Sequence, residues 1–132
     1  MLFRRKYNRK DVLVVDDDPV LTRILSHQIE KAGFRFDTAL NGQLALDLLK
    51  RNTYRTALVD FNMPGMNGFE LCRKIRKTRK HRRMHIILMS AEMESPTPMP
   101  EEIDEFVGKP FGMNAIIEKL KGIISSERVN KK

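Results

Sequence analysis

The sequence predicts an α/β domain built on a doubly wound, five-stranded parallel sheet. Three observations predict it. Short apolar runs bounded by turn residues recur along the chain, amphipathic helical stripes fall between them, and the connections are short. Runs that are apolar on consecutive positions suit strands buried on both faces. Strands that alternate with helices close into a parallel sheet through right-handed crossovers.

The elements follow in order. Val12-Leu13-Val14-Val15 reads as the first strand. Asp18-Pro19 then starts a helix, with a capping carboxylate and a proline at the first helical position. On that helix Val20, Leu21, Ile24, Leu25 and Ile29 are expected to share one face. Gly33 marks its stop, and Phe34, Phe36 and Thr38 alternate as a second strand. Asn41-Gly42 is a turn signal. After it, Leu44, Ala45, Leu48 and Leu49 form a second helical stripe. Ala57-Leu58-Val59 is the third strand, and Gly68, Leu71, Cys72 and Ile75 mark the third helix. Ile86-Ile87-Leu88-Met89 and Phe106-Val107 are the fourth and fifth strands. The stripe Met113, Ile116, Ile117, Leu120, Ile123, Ile124 marks the last helix. One link departs from the pattern. Ser95-Pro96-Thr97-Pro98-Met99-Pro100 stands where a fourth helix is due, and its prolines remove donors and forbid a regular helix. That helix is therefore expected to be shortened or replaced by a Pro-rich loop, with at most one turn near Glu101 to Asp104.

Composition bounds the function. A chain of 132 residues, 41% apolar, can bury a core of its own. Its single cysteine, Cys72, excludes a disulfide framework and a cysteine zinc cluster. That cysteine reads as a small buried hydrophobe on its helix. His27 stands alone, and His81 and His85 sit i, i+4 but among Lys and Arg, the wrong charge environment for a metal cation. No run approaches the length of a membrane span, and the apolar run behind the basic N-terminus is too short for a signal peptide. A cytoplasmic protein is expected. Its domain would span residues 11–125, between a basic arm at 1–10 and a polar tail at 126–132.

Ligands of open α/β sheets bind beyond the carboxyl ends of the strands. The first strand ends in Asp16-Asp17-Asp18, the third in Asp60, the fourth in Ser90-Ala91 and the fifth in Gly108-Lys109-Pro110. One rim thus collects carboxylates, a hydroxyl and an ammonium. Clustered carboxylates repel unless a cation sits among them. A hard divalent ion such as Mg2+ satisfies them. An aspartate can act as a nucleophile toward phosphorus, while a metal, an ammonium and a hydroxyl neutralise the phosphoryl oxygens.

The blocks Val12–Pro19, Leu58-Val59-Asp60-Phe61-Asn62-Met63-Pro64-Gly65-Met66-Asn67-Gly68, Met89-Ser90-Ala91 and Val107-Gly108-Lys109-Pro110-Phe111 resemble the motifs of the response-regulator receiver domain of two-component signalling, a flavodoxin-like fold. The resemblance runs from about residue 11 to 125. It implies that Asp60 is the phosphoacceptor, taking a phosphoryl group from a histidine kinase or phosphotransfer protein. It implies that Asp16, Asp17, Asp60 and the backbone carbonyl of Asn62 hold Mg2+. Ser90 and Phe106 would form the switch, Lys109 would pair with the phosphoryl oxygens, and the bond before Pro110 would be cis. Asn62 and Glu92 occupy positions that tune the phosphoryl lifetime. Such a domain accepts a phosphoryl group without being an enzyme, and its output passes to a downstream protein target. The alternatives are a receiver module cut from a hybrid histidine kinase and a basic nucleic-acid-binding module on the receiver scaffold.

Two departures matter. The separation of 19 positions from Ser90 to Lys109 is shorter than the family usually has, and the missing helix puts the family's usual dimer in doubt. Phe106 replaces the frequent tyrosine, so a switch there works by packing alone. Asp16-x-Asp18 formally fits a rival reading, an Mg2+ phosphatase with an aspartyl intermediate. The basic run Arg73 to Arg83 holds eight Lys or Arg in eleven residues. Such a run reads first as a solvated face, with an acidic partner or a nucleic acid as alternatives. With no interleaved aromatics and no helix-turn-helix, sequence-specific DNA reading is not expected.

Overall fold

The computed structural model describes residues 8–91 and 94–130. Five strands, β1 (Asn8–Val15), β2 (Phe36–Ala39), β3 (Asn52–Asp60), β4 (His85–Ser90) and β5 (Glu105–Gly108), form one sheet in the order β2-β1-β3-β4-β5. Every pairing is parallel. Four helices connect or follow them: α1 (Pro19–Lys31), α2 (Gly42–Leu49), α3 (Gly68–Arg76) and α4 (Met113–Asn130). This is the expected doubly wound order, whose direction reverses at β1 and β3.

Strand alternation divides the core in two. Leu13, Val15, Ala57, Val59, Ile86 and Leu88 pack beneath α2 and α3, against Ala45, Leu49, Leu71, Cys72 and Ile75. Val12, Val14, Leu58, Ile87 and Met89 face α1 and α4, against Leu25, Ile29, Ile116, Leu120 and Ile124. Each such aliphatic side chain contributes about 1.5–3 kcal/mol on burial.

The structure corrects several boundaries. β1 begins at Asn8, so Asn8, Arg9 and Lys10 are strand residues and not part of an arm; Arg4, Arg5 and Lys6 lie outside the described residues. β3 begins at Asn52. Both extensions carry polar residues whose pairing partners are distant in sequence, which hid them from an apolar-run criterion. Lys10 Nζ bonds Asp37 at 2.9 Å, Tyr54 donates to the same carboxylate at 2.6 Å, and Arg55 Nε meets the buried Asp11 at 3.1 Å. On α1, Val20 and Ile24 are 67% and 46% exposed, because the helix turns Thr22, Leu25 and Ile29 inward instead. α4 continues to Asn130, so most of the 126–132 segment is helical; residues 131–132 lie outside the described residues.

Among the described residues no helix joins β4 to β5, as the prolines required. A single turn closes on Ile103, whose N–H donates to Pro100 O at 3.2 Å. Ile103 is buried in the core below α3. Arg76, at the end of α3, clamps the segment: its guanidinium donates to Glu102 O (3.0 Å), Met84 O (2.8 Å) and the Asp104 carboxylate (2.9 Å).

Candidate functional site

The register sets the site. Val15 pairs with Val59 across β1 and β3, so the next residues, Asp16 and Asp60, emerge side by side at the carboxyl edge. Asp60 pairs in turn with Met89, and Ser90 pairs with Gly108, which places Lys109 on the same rim. Four strand ends therefore meet where the sheet reverses direction.

Asp16 is fully buried and held from several sides. Its N–H donates to Ala39 O at 3.1 Å, its Oδ1 accepts from Asp18 N–H at 2.9 Å, and the Thr22 hydroxyl bonds its carbonyl at 3.3 Å. Asp60 is buried on the neighbouring strand. α3 approaches its backbone closely: a Cβ at position 68 would overlap the Asp60 carbonyl oxygen, and Gly68 N–H donates to Phe61 O at 2.9 Å. A capping box fixes that helix start, with Asn67 Oδ1 accepting from Glu70 N–H and Glu70 Oε1 from Asn67 N–H, each at 2.9 Å.

Carboxylate oxygens of Asp16, Asp17 and Asp60 lie within 4.8 Å of one another. Lys109 Nζ reaches Asp16 Oδ2 at 2.8 Å and Asp60 Oδ1 at 3.0 Å. Burial raises the pKa of the Asp60 carboxyl; the Lys109 hydrogen bond opposes this, and the charges of Asp16 and Asp17 add to it. For Lys109 burial acts against the charge, but its bonds to Asp16 and Asp60 prevail and raise its pKa. Three carboxylates against one ammonium leave the pocket short of positive charge. A hard divalent cation with oxygen ligands fits that donor set, and the exposed Asp17 leaves the cluster open to solvent.

The other expected residues fall as follows. Ser90 is buried at the end of β4, beside the strand that carries Asp60. Asn62 lies in the exposed loop two residues beyond Asp60. Phe106 is half-buried and packs against the core on the α2–α3 side. The Lys109–Pro110 bond is cis. Glu92 lies outside the described residues. Asp18 caps α1, its Oδ1 accepting from Val20 N–H at 2.9 Å and Leu21 N–H at 3.2 Å. Two contributors escaped the sequence reading, Thr22 and Gly68. A hydroxyl at an inward helical phase was the available signal for the first.

The family model described as response regulator receiver domain matches residues 12–121. The phosphate regulon transcriptional regulatory protein PhoB of Rhizobium meliloti is 30% identical over 116 residues, 86% of this chain and 51% of that protein. The transcriptional regulatory protein SrrA of Staphylococcus aureus is 28% identical over 117 residues, 86% of this chain and 47% of that one. The chain thus spans about half the length of the curated relatives it matches. Among solved structures, response regulator protein TrrA of Thermotoga maritima in complex with Mg(2+)-BeF aligns with a TM-score of 0.75 at 33% identity, covering 88% of this chain and 98% of that chain. Among the described residues no helix is long and apolar enough to cross a membrane.

Proposed function

The chain belongs to the response regulator receiver domain family, and from that premise we propose that it is a phosphoacceptor module of a two-component phosphorelay, with Asp60 as the acceptor. The observation that carries the reading is the Asp60 carboxylate, buried at the rim with Lys109 Nζ at 3.0 Å and Asp16 and Asp17 beside it. The donor is a phosphohistidine on a histidine kinase or phosphotransfer protein. An Asp60 oxygen attacks phosphorus, the P–N bond breaks, and its electron pair returns to the imidazole, which takes a proton from solvent. The Lys109 ammonium faces the oxygens that gather negative charge in the transition state. Asp16, Asp17 and Asp60, with the Asn62 carbonyl, would hold Mg2+, which supplies charge neutralisation to the phosphoryl group.

The added charge at Asp60 then biases a two-state equilibrium. The Ser90 hydroxyl, one strand away, bonds the new phosphoryl oxygens, and Phe106 repacks on β5 in response. The altered surface is read by a downstream protein target. The chain is on this reading a cytoplasmic signalling module and not an enzyme; Asp18, the residue a phosphatase would need as acid, is occupied as a helix cap. A phosphotransfer assay with a small acyl phosphate donor tests the reading. Labelling that requires Mg2+ and is lost in Asp60→Asn is expected; equal labelling of Asp60→Asn overturns it.

A further inference from the structure

The basic run of residues 73–83 has a shape as well as a charge. After α3 the chain makes a short 3-10 turn (Arg79–His81) and enters β4 at the amino edge of the sheet, the end opposite Asp60. There the run bends around a concave cleft of about 790 Å3. Arg9, Arg76, Arg79, Lys80, Arg82 and Arg83 line it. Arg76 is consumed by the β4–β5 clamp, and Lys80 Nζ bonds Lys50 O at 3.0 Å. Arg79, Arg82 and Arg83 are exposed and form no ion pair among the described residues. The same holds for Arg73, Lys74 and Lys77 on the outer side of α3, which continue the charge away from the cleft. The one carboxylate lining the cleft, Asp104, is held by Arg76 at 2.9 Å.

We propose that this cleft is a binding surface for the phosphate backbone of duplex nucleic acid. Three features select that partner. The cations are mostly arginine, whose planar fork pairs with phosphate oxygens. The apolar lining residues, Met84 and Tyr54, are 4% and 3% exposed, so among the described residues the cleft presents no apolar anchor of the kind that centres protein–protein interfaces. Nucleic-acid interfaces, by contrast, are more polar and much more positive. Among the described residues of the cleft no exposed aromatic offers a stacking platform, which sets the surface against single strands. Contacts to the phosphate backbone carry no sequence information, so binding is expected to be independent of sequence.

The test is fluorescence anisotropy of the full chain with a labelled 20-base-pair duplex of arbitrary sequence, titrated between about 50 and 200 mM salt. Binding is expected to weaken linearly in log–log form with rising salt. Arg79→Ala, Arg82→Ala and Arg83→Ala combined are expected to weaken it at least tenfold at low salt and to flatten the slope by about 0.9 per contact removed. Single Arg→Lys variants at the same positions keep the charge and separate loss of binding from misfolding, as does an unchanged melting temperature of the triple variant. Absence of duplex binding at low salt overturns the proposal, as does binding that ignores salt or survives the triple substitution. Tighter binding to single strands, to poly-glutamate or to phosphatidylserine vesicles than to the duplex overturns it as well.

Discussion

Lys109 Nζ stands 3.0 Å from Asp60 Oδ1, and the same ammonium contacts the fully buried Asp16 at 2.8 Å. One cation thus serves two carboxylates at the edge where β1 and β3 end. Removing it strands Asp16 without an ion-pair partner among the described residues. Lys109→Ala is expected to lower the unfolding free energy by about 3 kcal/mol in the absence of divalent ions, the scale for breaking a buried pair. Urea denaturation measures this. A loss below about 0.5 kcal/mol, the range of an exposed pair, contradicts the assignment.

Asp60 works in the opposite sense. Burial, helped by the charges of Asp16 and Asp17, raises its pKa despite Lys109. A carboxyl whose folded pKa exceeds its unfolded one is most stabilising to the fold when protonated, and that stability is lost as pH rises through the folded pKa. Asp60→Asn removes the penalty. The variant is therefore expected to be more stable than the parent at pH 7 without metal, and the gap is expected to close as pH falls below the ordinary carboxylate value of about 3.9. Thermal melts of both proteins across that range check the sign.

Divalent ions are expected to narrow the same gap from the other side. Mg2+ binds the folded state only and stabilises by about 2.7 kcal/mol at one hundred times its dissociation constant. The gain is expected in the parent and much reduced in Asp17→Asn. Asp17 is exposed, so that variant keeps the fold without metal. A melting temperature indifferent to Mg2+ contradicts a metal site at this cluster.

The β4–β5 segment tests a different part of the structure. Arg76 donates to two backbone carbonyls and a carboxylate there, at 2.8 to 3.0 Å. A lysine keeps the charge but cannot span those acceptors. Arg76→Lys is expected to cost about 2 kcal/mol and to speed amide exchange at Ile103 and Asp104, whose N–H groups bond Pro100 O and Ile86 O. Hydrogen exchange read residue by residue decides it. Unchanged protection at both amides contradicts the clamp.

The sheet and the rim were legible because they rest on contiguous signals. Val12–Val15 and Ile86–Met89 are buried on both faces, and the residue at or just beyond the end of β1, β3, β4 and β5 declares its chemistry. The prolines at 96, 98 and 100 announced the lost helix for an equally local reason. The failures share a cause in sequence separation. Lys10 and Tyr54 both find Asp37, and Asp11 finds Arg55 44 residues away, so polar strand ends looked like arm and loop. Val20 and Ile24 carry helical periodicity yet face outward, because a stripe does not reveal how much of it the sheet covers. The Thr22 hydroxyl and the missing side chain of Gly68 act on the backbone carbonyls of Asp16 and Asp60, contacts that depend on how the helices are placed in the fold.

Chemical mapping of the acceptor is the most direct test of the whole account. The protein is incubated with Mg2+ and acyl phosphate, treated with borohydride, which reduces an aspartyl phosphate to homoserine, and sequenced by mass spectrometry. The account requires homoserine at position 60 and nowhere else. Homoserine at Asp16, Asp17 or Asp18, or a phosphoryl group on Ser90 with position 60 unmodified, would contradict it.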